Sequence, residues 1–501
     1  RAAENTATTK NGAQVSATPS RPEFKYIPAP PEIQQMMAPL QAPINYIPKR
    51  PGHYTKEEWR AVIDSTWGPG MTPAWSQAVW ETWWHTIDSG YAAFQGLDTN
   101  VWDSIYNKYA YELADYTHPV SKGRLDGILE HATLALKDEH TRAFDTVCDG
   151  TAMLPGVPLM HMLWQYDDGH FGAGLTALPD STAMVVRVVP NHPLGLQPGD
   201  LILGYDRIPW LQLVQELMDA ELPIRGMSAS SDRAILHYQI MSAGMNWHLY
   251  DTIDIEKYGS HDTLHLPTSL LVGQIMPIWP TEQLDIPGVQ RPDFLGQQIV
   301  SWGMIEGTSI GYIYINGYFY NIQAEWYYAV DSLVNHYPTT GIIIDSRMNM
   351  GGNTHVADAG NALLFNTYVE TFRLDARCSY GDHFSMCSPT WIQGGHQYDD
   401  SLFTIRGTGG YDKPIAILLG PASISGGDFY PAMLAHHPMA KVFGKPSCGA
   451  FGPVQINYIL PEIKAHFARG NAYRYDKPGG YLTHKGFPDP RYFPEFPYQE
   501  V

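Results

Sequence analysis

Charge is scarce in this chain, and what there is leans one way. Of 501 residues 17% are charged, with 32 Lys and Arg against 51 Asp and Glu, a formal net charge of −19. That balance argues against nucleic acid or an anionic membrane surface as a partner. Long apolar runs are missing too: none approaches the roughly 20 residues of a membrane span. Cysteine is rare, at Cys148, Cys378, Cys387 and Cys448, and no two form a CxxC pair. Zinc is therefore not suggested, and no metal or other cofactor is expected. Residues 1–50 lack a periodic apolar pattern and are rich in Thr, Ala, Pro and Gln. They read as an extended N-terminal arm.

What is present is core-forming material. Apolar residues make up 44%, with 14 Trp and 31 Tyr, and the length calls for about two to four domains. Thr55-Lys-Glu-Glu58 is a capping box, with Trp59, Val62 and Ile63 at helical spacing behind it. Similar patterns at 73–95, 98–116 and 121–137 predict a helical N-terminal domain over 51–145, with Trp75, Trp80, Trp83, Trp84 and Trp102 in its core. After a connection at 281–300, strand patterns at 310–315, 341–345, 413–419 and 441–443 alternate with helix patterns at 323–337, 355–365 and 427–437. That alternation predicts a parallel sheet covered on both faces, an α/β domain over 301–460. Residues 461–501, rich in Tyr, Pro and Gly, are expected to wrap the surface.

Two stretches carry chemistry. Pro421-Ala-Ser-Ile-Ser-Gly-Gly-Asp428 follows the apolar run Ile415–Leu419 and precedes a helix pattern. A serine at a strand-to-helix junction has its hydroxyl at the element's edge, beside helix amides with no internal partner. Ser425, followed by Gly426 and Gly427, is the best-placed nucleophile; Ser423 is its rival, and an ordinary Ser/Gly turn is the plainer reading. The second stretch is Gly341-Ile-Ile-Ile-Asp345, running into Ser346-Arg-Met-Asn-Met-Gly-Gly352.

Together, D-x-R-x-N-x-G-G and S-x-S-G-G-D, each after a strand, resemble the C-terminal processing peptidases and their relatives, tricorn protease and the interphotoreceptor retinoid-binding proteins. The resemblance implies a crotonase-like (ClpP-like) α/β protease core. It implies Ser425 as nucleophile, with oxyanion donors at the N–H of Gly426 and of one of Gly351 and Gly352, and Asp345, Arg347 and Asn349 as braces. Leu134-Ala-Leu-Lys-Asp-Glu-His-Thr141 resembles the family's L-x-D-x-H-T segment, which implies His140 as general base. Residues 165–280 resemble a PDZ-like β-rich domain inserted before the core. There Phe171-Gly172-Ala173-Gly174-Leu175 resembles the carboxylate-binding loop that takes peptide, and Gly195-Leu-Gln-Pro-Gly-Asp-Leu-Ile-Leu203 matches the family's G-L-x-x-G-D-x-I-L. Further strands are expected at 185–189, 231–236 and 252–255.

The chain departs from the family in two places. The lysine of the Ser/Lys branch falls on Ala450, with Lys445 nearby, so Ser425 with His140 is the better pairing. The acid of the tricorn-like branch falls near Thr483-His484-Lys485, where there is none; Asp489 and Glu139 are the nearest. The expected function is a serine peptidase acting on protein or peptide substrates, and the alternative is a non-catalytic ligand binder on the same scaffold. Cys378 and Cys387 flank a Ser/Gly/Asp-rich loop that suits a local disulfide, although four buried thiols are also open. With the aromatic-rich, lysine-poor composition and the start Arg1-Ala2-Ala3, this points to a processed, exported bacterial protein, periplasmic or extracellular. If His140 and Ser425 share one site, a Cys148–Cys448 bridge is also expected.

Overall fold

The computed structural model describes residues 55–68, 70–145, 171–223, 229–245, 247–271, 284–292, 299–319, 322–353, 355–388, 391–393, 396–398 and 402–500. The expected arm at 1–50, and Cys148, lie outside them.

Four helices open the described chain, each starting where a polar side chain can cap it. Helix α1 (Lys56–Trp67) has the expected box: Thr55 Oγ1 accepts from the Glu58 N–H, and the Glu58 carboxylate accepts from the Thr55 N–H. Such caps are worth about 1 kcal/mol. Thr72 caps α2 (Pro73–Gly90), Asp98 caps α3 (Thr99–Asp115) and Ser121 caps α4 (Lys122–Thr133). Trp80, Trp83, Trp84 and Trp102 are buried together, with Trp75 packed against them. This core does not close at residue 145. Strand β1 (Arg142–Asp145) pairs antiparallel with a strand at Ile463–Ala468, and Ile459, Leu460, Ile463 and Phe467 fill out the tryptophan cluster. The helices need the far end of the chain to bury their apolar faces.

The inserted unit is an antiparallel sheet of β2 (Ala173–Ala177), β3 (Ala183–Val188), β4 (Leu201–Tyr205), β5 (Thr252–Glu256) and β6 (Thr263–Pro267), in that order. Helices α5 (Trp210–Ala220) and α6 (Ile235–Met245) pack on it. The strand expected at 231–236 is instead a turn entering α6. Ala234, Tyr238 and Met241, all buried, fall at i, i+4 and i+7, so the apolar period is that of a helix.

The main sheet follows. In chain order its elements are β7 (Val300–Met304), β8 (Ile310–Ile315), α7 (Gln323–Asp331), β9 (Gly341–Asp345) and α8 (Asp358–Leu364). A second sheet is built on β10 (Tyr368–Arg377) and β11 (Leu402–Arg406). The main sheet resumes with β12 (Ile415–Leu419), α9 (Gly426–Leu434) and β13 (Ala440–Gly444). Then come β14 (Val454–Tyr458), β15 (Ile463–Ala468), β16 (Gly470–Arg474) and β17 (Tyr498–Glu500). Spatial order is β17-β13-β12-β9-β8-β7, parallel throughout except the β8–β7 hairpin. Helix α7 runs on through a π turn at Ser332–His336, completing the helix expected over 323–337.

The expectation for 461–501 is corrected. This segment is structural core: β16 pairs with β10, β17 extends the main sheet, and Phe487, Phe493 and Phe496 are buried in the cluster that holds Ile342, Ile344 and Ile417. Its aromatic side chains share the main sheet's core with residues of α7, α8 and α9. Cys378 and Cys387 form a disulfide with Cα atoms 5.7 Å apart. The bridge expected from Cys448 is not formed. Cys448 is a free thiol, fully buried, with Sγ 3.9 Å from Ser230 Oγ. No helix among the described residues is long and apolar enough to cross a membrane.

Candidate active site

Parallel strands β9 and β12 are neighbours, so the loops leaving their C-terminal ends meet. Ser423 Oγ donates to the Ser346 carbonyl at 2.6 Å, and the Ile424 N–H donates to the Asn349 carbonyl at 2.9 Å. Ser423 is 0% exposed, and its hydroxyl ties the two loops together. Ser423→Ala is therefore expected to cost about 1–3 kcal/mol of stability while leaving a serine-reactive fluorophosphonate probe able to label the protein. Chemical denaturation and gel fluorescence check both halves.

Ser425 sits at the tip, half-buried, at φ 61° and ψ −116°. A non-glycine residue at positive φ is strained, and such strain persists only where the surroundings enforce it. Here the Ser425 N–H donates to Asp428 Oδ2 at 2.7 Å, and α9 begins at the next residue. Facing it, a Cβ on Gly351 would stand 2.6 Å from Ser425 Cβ, and one on Gly427 would stand 2.3 Å from the Asn349 carbonyl oxygen. Only glycine lets the loops approach this closely.

The amides differ in what they are free to do. The Gly351 N–H donates to Asn349 Oδ1 at 2.9 Å. The N–H groups of Gly426 and Gly352 have no hydrogen-bond partner among the described residues. They lie close together: a Cβ on Gly426 would stand 3.3 Å from the Gly351 carbonyl carbon, the atom bonded to Gly352 N. The rest of the loop is braced. Asp345 accepts from Arg347 Nε and Nη2 at 3.0 and 2.8 Å and from the Tyr312 hydroxyl at 2.8 Å, and Asn349 Nδ2 donates to the Ile315 carbonyl.

Asp428, fully buried, joins this tip to the segment at 447–452. It accepts from the Gly449 N–H at 2.8 Å and the Ala450 N–H at 3.0 Å as well as from Ser425. Burial pushes its pKa up to about 7, against the pull of the Ser447 hydroxyl and three backbone N–H groups. A carboxyl raised on folding contributes stability present below its unfolded value and lost as pH rises to the folded one. Stability should therefore fall between about pH 4 and pH 7 by at most about 4 kcal/mol from this group. Asp428→Asn should flatten that slope in urea titrations run across the range.

His140 stands on a turn after α4. Asp138 Oδ1 accepts from the His140 N–H and from Ser230 Oγ, both at 3.1 Å, and Asp138 Oδ2 accepts from Thr141 Oγ1 at 3.0 Å. The His140 carbonyl accepts from His466 Nδ1 at 2.8 Å. The ring is buried and its Nδ1 has no hydrogen-bond partner among the described residues. Burial pushes its pKa down to about 4, with Asp138 and a backbone hydrogen bond at Gly452 acting the other way. The imidazole is thus neutral at neutral pH. His140 and Ser425 contact the same segment, one at Gly452 and the other through Asp428, but no hydrogen bond joins them directly among the described residues.

The alternatives weighed from sequence are engaged elsewhere. Lys445 Nζ donates to the Ala177 carbonyl at 2.9 Å, on β2, and the Ala450 N–H belongs to Asp428. Near the expected acid, His484 Nδ1 lies 2.8 Å from the Lys137 carbonyl. Glu139 pairs with Arg142 at 3.3 Å, and Asp489 accepts from Arg491. In the expected peptide loop, Phe171, Ala173 and Leu175 are buried core residues, and the Gly172 carbonyl accepts from the Val189 N–H at 2.8 Å. Gly174 lies on β2, which ends its sheet. Sequence reasoning quoted Asp428 and Asp138 within motifs without assigning them a part. For Ser230 there was no signal.

Residues 309–488 match the family model described as peptidase family S41. None of the curated proteins matches the chain by sequence. Among solved structures, mature CPAF complexed with lactacystin has a TM-score of 0.57 at 14% identity, covering 83% of this chain and 92% of that one. Mature CPAF gives 0.56 at 14% identity over 83% and 92%. The photosystem II D1 C-terminal processing protease gives 0.41 at 14% identity over 80% and 88%. At this identity the CPAF likeness is one of fold, and it spans most of both chains.

Proposed function

We propose that this chain, whose residues 309–488 match the model of peptidase family S41, is a serine peptidase that hydrolyses peptide bonds with Ser425 as nucleophile and His140 as general base. The observation that carries this is Ser425 itself, held at φ 61° at the first turn of α9 against Gly351.

The steps follow from the groups present. Neutral His140 takes the Ser425 hydroxyl proton as Oγ attacks the scissile carbonyl. The oxyanion that forms is met by the N–H groups of Gly426 and Gly352; Gly351, whose N–H serves Asn349, shapes the loop instead. His140 then protonates the leaving amine, and a water activated by the same imidazole releases the acyl group. Asp138 orients the base through its backbone N–H, which takes the place of an acid on the ring. Catalytic hydrogen bonds are often long in a free enzyme and tighten on substrate, so a direct His140–Ser425 bond is required only in the complex with peptide.

The same reading makes the main sheet a crotonase-like core and residues 165–280 a PDZ-like unit that assists binding. A peptide strand would add alongside β2, the last strand of its sheet among the described residues, at residues 171–175. The Cys378–Cys387 disulfide supports an exported protein in an oxidising compartment. Digestion of a peptide library with mass readout tests the activity. Discrete cleavage products that vanish with fluorophosphonate treatment are expected, and an undigested library would refute it.

A further inference from the structure

A cleft of about 680 Å³ opens where the turn after α4, the inserted unit and the C-terminal segment meet. Its size falls in the range of ligand pockets, about 300–1,000 Å³. Ser425, His140 and residues 171–175 do not line it. Its lining includes apolar side chains, Leu134, Met218 and Ile235, and polar ones, Gln95, Gln239 and Thr483. Both polar atoms of the Gln95 amide and the Thr483 hydroxyl are buried with no hydrogen-bond partner among the described residues, an uncommon state for polar groups in a folded protein.

The electrostatics select a sign. Lys137 and Lys485 both line the cleft, and neither forms an ion pair with a described residue, in a chain whose formal net charge is −19. Lys485 Nζ lies 5.1 Å from the centre of the Tyr492 ring, and partial burial lowers its pKa. The acid on the rim, Asp232, is already held by Arg491 at 2.9 Å. A partly desolvated cation without a counter-ion favours an anionic ligand.

We propose that this cleft binds the carboxyl terminus of a peptide whose last side chain is apolar. The carboxylate meets Lys137 and Lys485, the main-chain amides meet Gln95, Gln239 and Thr483, and the side chain lies on Leu134, Met218 and Ile235. The choice of a peptide over another apolar carboxylate rests on the peptidase reading, since every cut creates such an end. Occupancy would reach the base. Ser230, which also lines the cleft, bonds Asp138 and accepts from the Glu139 N–H at 3.0 Å, on the turn that carries His140.

Calorimetric titration of the full chain with N-acetyl-Ala-Ala-Leu as free acid, with its carboxamide and with octanoate tests this. The acid should bind at least about tenfold more tightly than the amide, the scale of a lost charge-assisted bond, and octanoate should not compete with it. Lys485→Met, which keeps an apolar stem over Tyr492, and Lys137→Asn, which suits the left-handed backbone there (φ 46°), should each erase most of that preference. Equal affinity for acid and amide, a preference unchanged in both variants, or no binding overturns the site. Octanoate binding as tightly as the tripeptide overturns the peptide assignment. A chain that cleaves no peptide yet keeps the lysine-dependent preference loses the peptidase reading and retains the cleft.

Discussion

Ser425→Ala should lower peptide hydrolysis roughly a millionfold, the scale of losing a serine nucleophile, with little change in melting temperature. The side chain is half-buried at the tip of the turn. What holds the tip is its backbone: the Ser425 N–H on Asp428, the Ile424 N–H on Asn349, and the glycines opposite. Alanine keeps all of these. It also shares serine's aversion to positive φ, so the strained backbone costs about the same in both. Stopped and continuous peptide assays with thermal unfolding separate the two effects. Activity lost together with folding would mean that the hydroxyl is structural.

The second large effect is expected at His140. His140→Ala should reduce kcat/KM by about 10² to 10⁴, the contribution usual for a positioned general base. The pH profile gives a sharper signature. With its pKa depressed to about 4 by burial, His140 remains neutral and competent as the solution is acidified through the ordinary histidine range. The rate should hold from about pH 8 to about pH 5 and fall only as the imidazole is protonated below that. A limb near pH 6.5 that persists in Asp428→Asn, and so does not come from the raised Asp428 carboxyl, would show that the ring is solvated in the working enzyme. An unchanged rate in His140→Ala would remove it as base.

Much of this arrangement was legible in the residues, because parts of it are local. Strands β9 and β12 are buried on one face and half-buried on the other, so they read as unbroken apolar runs, and the turns that follow carry Ser, Gly, Asp and Asn where the loops must touch. Helix α1 announced itself through the Thr55 capping box, and α2 to α4 through their apolar spacing, whereas the caps at Thr72, Asp98 and Ser121 emerge only in the fold. The illegible parts depend on long-range partners. Strand β1 finds β15, and the His140 carbonyl meets His466, across 326 positions. No local pattern encodes that register. The tail at 461–501 looked like a surface wrap because its aromatics are spaced by Pro and Gly, yet Phe487, Phe493 and Phe496 are core. Ser231–Leu236 mixed polar and apolar residues in a way that fits a strand until the buried set at Ala234, Tyr238 and Met241 is known.

The site shows the same division. Ser425 and the glycines could be named from the motif, whereas the split between Gly351 and Gly352 could not. That split depends on Asn349 Oδ1 taking the Gly351 N–H. Asp428 could be read as the end of a motif, but its three backbone donors come from two segments brought together only by folding. Ser230 reaches Asp138 across 92 positions and lies beside Cys448 across 218.

Mapping a fluorophosphonate adduct by tandem mass spectrometry of the digested protein bears most directly on the nucleophile. The adduct should fall on Ser425 alone and be absent from Ser425→Ala while persisting in Ser423→Ala. An adduct on Ser423 or any other serine, or no adduct on protein that cleaves peptides, would contradict Ser425 as the nucleophile.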